Sequence, residues 1–344
     1  MKRFFFLTVA ATALFAACNK TEIVPTGEAQ EISFVAVNKV ATKVPVDGTE
    51  FMDGDDMHVA AYIVAGSETD GNFFGPTHFK KTGTYWTGDP ARYWPLTTST
   101  INFLAVTGTG GGASNSTTTF TGSYASGATV ILNDNSAFNQ NDLMFAAGQG
   151  THVQGGGYNP VAMTFKHALS WIKFIVCKKD ESGYDITVNS IKLNGASYQG
   201  TLTLSNGQFN EETIQETGKV EASWSATTPK DGVLVPNKAG TGPAEKLPLA
   251  YRNNLGFGNL FTDEFGNGLL VVPGYATSFT INYTLTQAGG VANTFDYTYT
   301  LPDGGKWEMA KAYLYYISFD LSEIEIDPDV KDWEISEMPE VSLN

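Results

Sequence analysis

Side chains suited to chemistry are sparse in this 344-residue sequence: four histidines, two cysteines and a few acidic groups. His58, His78, His152 and His167 show no close ligand spacing of the sort that sets two imidazoles on one helical turn or in one short loop. Neither HExxH, nor CxxC, nor the Gly-x-Ser-x-Gly elbow of a serine hydrolase occurs. His167, after Phe165-Lys166, reads as a packed or capping residue rather than a base. Asp53-Gly54-Asp55-Asp56 is the densest acidic cluster and allows two readings. Calcium wants several such oxygens, but the later ligands of an EF-hand loop are missing, and Asp-Gly favours a tight turn before the strand at Met57. The same discount applies to Asp327-Pro328-Asp329 and Asp332. The glycine-rich run Gly108 to Ser116 has no following Lys-Ser/Thr pair and opens no helix, so it is not a phosphate loop. No pair of carboxylates is singled out for glycoside hydrolysis. The sequence therefore assigns no catalytic residue, no metal ligand and no cofactor.

The thiols divide by position. Lys2 and Arg3 precede the apolar run Phe4 to Ala17, which is too short for a permanent span and reads as a secretory signal over residues 1–17. It closes Leu14-Phe15-Ala16-Ala17-Cys18, where a small residue before cysteine marks Cys18 for lipidation as the new N-terminus. Residues 18–30 then form a lipidated tether, and no later segment reaches the ~18 apolar residues of a span. The expected location is the cell outer membrane, lipid-anchored and surface-exposed, with the membrane reached through acyl chains. With Cys18 lipidated, Cys177 has no intramolecular partner; its apolar run, Trp171 to Cys177, predicts a buried, inert thiol. The formal charge is −15, and losing the two positive charges of Lys2 and Arg3 makes it −17. Such a surface repels phosphate backbones, which argues against nucleic acid as a partner.

Alternating and apolar runs between turn clusters predict an all-β sandwich protein. They are Glu31 to Val37, Met57 to Ile63, Thr100 to Val106, Val161 to Phe165, Trp171 to Cys177, Ile186 to Leu193, Gly200 to Leu204, Leu269 to Val272, Ser278 to Thr286, Thr294 to Leu301 and Tyr313 to Ile326. One short helical stretch, His167 to Ser170, interrupts them. Gly108 to Ser116 and Gly148 to Tyr158 read as flexible loops. The charged break Lys178 to Gly183 divides the chain into halves of similar size. The expected organisation is an N-terminal β-sandwich domain over 31–180, a C-terminal one over 181–335 and a tail over 336–344.

Aromatics are abundant: Tyr85-Trp86, Tyr93-Trp94, Trp171, Trp224, Trp307, Tyr313, Tyr315-Tyr316 and Trp333. Most are assigned to sandwich cores. The alternative is an exposed platform that stacks on sugar rings, which would make this an outer-membrane lipoprotein that binds glycans.

In order along the chain come Ile32-Ser33-Phe34; Phe51-Met52-Asp53-Gly54-Asp55-Asp56 running into Met57 to Tyr62; Tyr93-Trp94-Pro95 with Ile101 to Ala105; Asp142 to Ala146; Met163 to Ile172; Trp307 with Tyr313 to Tyr316; and Val330-Lys331-Asp332-Trp333. Behind a lipidation signal, this series resembles the fimbrillin family, the lipoprotein-derived subunits of type V pili. The resemblance implies two tandem transthyretin-like β-sandwich domains, no enzymatic activity, and a structural role in a cell-surface pilus as stalk, anchor or accessory tip. It implies a first strand, Glu31 to Val37, removed by a protease cutting after Lys39 or Lys43. It also implies partners that are other pilus subunits, the same chain or paralogues, joined by β-strand addition, and adhesion to a host or bacterial surface ligand. The family's usual arginine is absent, since none lies between Arg3 and Arg92. The tail Glu334 to Asn344 reads either as a donor strand, weakened by Pro339, or as a frayed terminus.

Overall fold

The computed structural model describes residues 30–36, 51, 53–66, 71–108, 119–123, 127–138, 140–153, 159–179, 183–204, 222–249, 264–287, 289–302, 305–319 and 324–332. Among them the named elements are all strands. In chain order these are β1 (Ser33–Ala36), β2 (Asp56–Gly66), β3 (Gly71–Thr82), β4 (Tyr85–Asp89), β5 (Ser99–Thr107), β6 (Thr119–Ser123), β7 (Gly127–Leu132), β8 (Met144–His152), β9 (Val161–Met163), β10 (Lys166–His167), β11 (Ser170–Lys178) and β12 (Tyr184–Asn194). They continue as β13 (Ala196–Ser197), β14 (Gly200–Leu204), β15 (Ala222–Ser225), β16 (Pro229–Lys230), β17 (Val233–Leu234), β18 (Leu247–Pro248), β19 (Leu269–Val271), β20 (Ser278–Gln287), β21 (Ala292–Thr300), β22 (Lys311–Phe319) and β23 (Ile324–Asp332). The fold is all-β, as the alternating runs predict.

The first sheet runs β10-β8-β5-β2-β3-β4-β1-β9. Its ends approach face to face: side-chain-free Gly148 and Gly150 of β8 let β9 come close, and a Cβ on Gly150 would meet Trp94 at 2.5 Å and Val161 at 2.8 Å. The sheet thus closes over a core of Ile32, Phe34, Met57, Val59, Phe79, Trp86, Phe103 and Met163. Strand β2 is apolar on both faces for a reason. Met57, Val59, Ala61 and Ile63 enter this core, while Ala60 and Tyr62 enter another on the opposite side.

In the second half, the sheet β19-β11-β22-β23 faces the sheet β17-β12-β20-β21, with β18 also on β12. Their shared core holds Ile172, Phe174 and Val176 from β11, Val188 and Ile191 from β12, Phe279 and Ile281 from β20, and Tyr315 and Ile317 from β22. The charged break at Lys178 to Gly183 connects β11 to β12, two strands that line this one core.

A third core ties the halves together. The sheet β15-β14-β7-β6 mixes strands from both sides of the break. Its Val130, Leu132, Leu202 and Leu204 cover Tyr62, Leu104 and Val106 of the first sheet and meet Trp171, Leu270 and Ala312 of the second half. Buried Gln140 adds a polar link: its amide donates to Leu270 O at 3.3 Å, and its carbonyl accepts from Leu270 N at 2.9 Å.

Three local expectations change. The run Tyr313 to Ile326 is not one strand but falls in an antiparallel pair, β22 and β23, with Asp320, Ser322 and Glu323 interrupting its apolar residues between them. The stretch His167 to Ser170 is not helical; it passes from β10 into β11. The expected loop Gly148 to Tyr158 begins inside β8, which continues to His152. Strand β3, with Gly75-Pro76 inside it, stays paired with β2 by shifting register between Val59 and Tyr62.

Candidate functional site

The most telling site is a strand slot. Strand β1 is antiparallel to β4, with Ser33 opposite Thr87 and Phe34 opposite Trp86. On its other side it is parallel to β9, with Phe34 opposite Val161, Val35 opposite Ala162 and Ala36 opposite Met163. Ahead of it, Ile32 N donates to Arg92 O at 2.7 Å and Trp94 N donates to Gln30 O at 2.9 Å. Ile32 and Phe34 are wholly buried. The Phe34 ring meets Phe79 edge-on at 4.9 Å and Phe103 at 5.1 Å. These T-shaped pairs add to the area each ring buries. Among the described residues, β9 pairs in the first sheet with β1 alone. Removing β1 therefore strips backbone partners from β4 and β9 at once and opens a groove floored by Phe79 and Phe103. Such a groove is a template for another strand.

A short chain of contacts sets the slot's shape. Phe51 packs edge-on against Trp86 at 5.1 Å and Phe165 at 5.2 Å. Trp94 packs edge-on against Phe103 at 5.6 Å and lies over His152. Met163 and Phe165 line this core, Ala168, Leu169 and Trp171 the third core, and Ile172 the second. The segment Met163 to Ile172 thus threads all three, a structural reason for its distinctive sequence. The closing aromatics form one cluster: Trp307 Nε1 donates to the Tyr315 hydroxyl at 3.1 Å, and Glu308 N donates to the Tyr313 hydroxyl at 2.8 Å. Burial pushes the Tyr315 phenol up to about 12.

The acidic cluster forms a turn. Gly54 takes φ +89°, Asp53 Oδ1 accepts from Gly83 N at 2.8 Å, and Asp55 is buried while Asp56 opens β2. Among the described residues no three His, Cys, Asp or Glu side chains are grouped to hold an ion. Cys177 is buried, 3.5 Å from Ser318 Oγ. Trp86, Trp94, Trp171, Trp307, Tyr313 and Tyr315 are buried; Tyr85 and Tyr93 are exposed. Cys18, Lys39, Lys43, Trp333 and the tail 336–344 lie outside the described residues.

Two histidine contacts escape sequence spacing. His167 Nδ1 lies 3.0 Å from Asp142 Oδ1 in a buried pair. His58 and His78 sit directly opposite on β2 and β3, with Nε2 atoms 2.9 Å apart. The only signal for the second contact is strand register, which requires recognising β3.

The family model described as Fimbrillin-like matches residues 42–333. A fimbrial protein from Bacteroides vulgatus is similar in structure, with 15% identity and a TM-score of 0.53; the match covers 88% of this chain and 99% of that one. A fimbrial assembly protein from Parabacteroides distasonis matches at 13% identity and TM-score 0.39, over 88% and 98% of the two chains. The tip fimbrial protein Mfa3 from Porphyromonas gingivalis matches at 10% identity and TM-score 0.37, over 88% and 100%. No curated protein matches.

Proposed function

We propose that this chain, which belongs to the fimbrillin-like family, is a subunit that polymerises or docks by exchanging strand β1 for a strand of another subunit. The family is one of structural fimbrial subunits, not of enzymes, and fimbrial proteins are components of cell-surface pili. The observation that carries the finer reading is the seat of β1: four residues between β4 and β9, with Ile32 and Phe34 wholly buried beneath. A longer or unburied strand would serve less well, because removal must be feasible and refilling must be favourable.

In this reading the chain is exported with residues 1–17 as a signal and lipidated at Cys18. It is held at the outer membrane by the tether 18–30. A cut after Lys39 or Lys43 frees β1. The incoming strand restores hydrogen bonds to β4 and β9 and buries apolar side chains over Phe79 and Phe103. Head-to-tail repetition of that contact gives an open filament, and adhesion follows from what the filament displays. The tail 336–344 is the proposed donor. The reading keeps two sandwich domains, expected over 31–180 and 181–335, and the two large cores, Ile32 to Phe165 and Ile172 to Phe319, support a division into two.

The test uses protein beginning at Val44, so that β1 is gone, and a fluorescent peptide spanning Glu31 to Val37. The expected result is saturable capture with slow release, abolished when the peptide carries Phe34→Asp. A folded Val44-start protein that captures neither peptide nor a second subunit would refute the exchange reading.

A further inference from the structure

We propose that His58 and His78 form a two-imidazole binding site for a late first-row divalent ion, with copper(II) the preferred occupant. The two residues are register partners on antiparallel β2 and β3, so their side chains leave the same face of the sheet. Their Nε2 atoms stand 2.9 Å apart. Two imidazole nitrogens bound side by side to one square-planar ion at about 2.0 Å stand about 2.8 Å apart. The rings are also disposed for this. An end-to-end hydrogen-bonded pair would hold its centroids roughly 5 Å apart; here they are 4.0 Å apart at 64°. The rings therefore meet edge-on rather than end to end, and an ion bound by both Nε2 atoms would replace the proton they share.

The surroundings suit a ligand pair. Asp56 Oδ2 lies 3.4 Å from Nδ1 of His78, the ring nitrogen away from His58. A carboxylate on the side of the ring away from the coordinating nitrogen is the carboxylate–histidine arrangement of metal sites. Asp89 is the register partner of His78 on β4 and pairs with Lys80 at 2.9 Å. The charged groups around the imidazoles on these strands are thus Asp56, Asp89 and Lys80. The His78 side chain is 52% exposed, which leaves the remaining coordination positions to water. With these two imidazoles as the protein ligands the described residues offer, copper(II), at the top of the affinity order, is favoured over nickel(II) and zinc(II). An ion there would staple β2 to β3 across the sheet that carries β1.

The experiment titrates purified protein with copper(II) alone, followed by calorimetry and electron paramagnetic resonance. One equivalent should bind with nitrogen couplings from two imidazoles, nickel(II) and zinc(II) should bind more weakly, and acidification to about pH 5 should release the ion. His58→Gln and His78→Gln should each weaken binding about tenfold or more, and His152→Gln should leave it unchanged. Circular dichroism and the urea midpoint of each variant establish that the fold persists. Absence of a one-equivalent site in the parent protein would overturn the proposal. So would a site that survives in the folded double variant H58Q/H78Q, or one lost equally in H152Q.

Discussion

Strands β1 and β11 occupy the same kind of position and differ in how firmly they are held. Each lies between one antiparallel and one parallel neighbour: β4 and β9 for β1, β19 and β22 for β11. Each buries aromatic side chains completely, Phe34 in one and Phe174 in the other. Yet β11 has nine residues, all buried, and pairs with β22 without a break from Trp171 to Lys178. Strand β1 has four residues, and its parallel partner β9 has three. Deep anchoring through side chains combined with short backbone pairing makes a strand that is stable in place but separable. Unbroken pairing with β22 from Trp171 to Lys178, added to a short antiparallel edge with β19, makes a strand that belongs to the fold.

The sharpest way to break this contrast is to remove the same ring from each. Phe174→Ala should destabilise the whole protein by about 3–5 kcal/mol, the usual cost of deleting a buried phenylalanine, seen as a cooperative fall in the urea midpoint. Phe34→Ala loses a comparable ring, but its effect should concentrate on β1. Amide exchange over residues 32–36 should accelerate while β11 stays protected, because local opening draws on local pairing. Equal loss of protection in both strands would erase the distinction.

A smaller effect tests the seat of β9. Gly150→Ala puts a methyl against Trp94 and Val161, and overpacking of this sort costs about 1–3 kcal/mol. The expected readout is faster exchange in β9 and β1 together, since among the described residues β1 is the partner of β9 in its sheet.

The buried phenols allow a test by pH. Burial pushes Tyr62 up to about 12 and Tyr315 up to about 12, against an ordinary 10.0, and raises fully buried Tyr198 as well. A phenol raised on folding contributes stability that is complete below 10 and is lost as pH rises from 10 through about 12. Alkaline unfolding should therefore coincide with a late, cooperative phase of tyrosinate absorbance. Early, non-cooperative titration of every tyrosine would contradict the packing of the first half, the second half or both. The smallest change is expected from Lys80→Ala, which breaks an exposed pair with Asp89 and should leave the urea midpoint unmoved.

The sequence disclosed the strands whose apolar residues run unbroken or alternate cleanly. Strand β11 and the motif Met163 to Ile172 are legible because they are buried on several sides. Strand β3 is hidden by Gly75-Pro76, and with it the His58–His78 contact, which no spacing rule reaches. The third core is also hidden: the pairing of β7 with β14, Val130 opposite Leu202, is long-range and each strand alone looks ordinary. The slot was partly legible. Ile32 and Phe34 mark an inward face, but which strands flank β1 depends on the parallel pairing with β9, and parallel partners leave no local turn signal.

The most direct measurement is limited trypsin digestion of the purified protein, followed by N-terminal sequencing and a non-boiled denaturing gel. A single cut after Lys39 or Lys43, accompanied by a heat-sensitive ladder of multimers, is the predicted result. Clean loss of β1 from a protein that stays folded and monomeric would contradict the account.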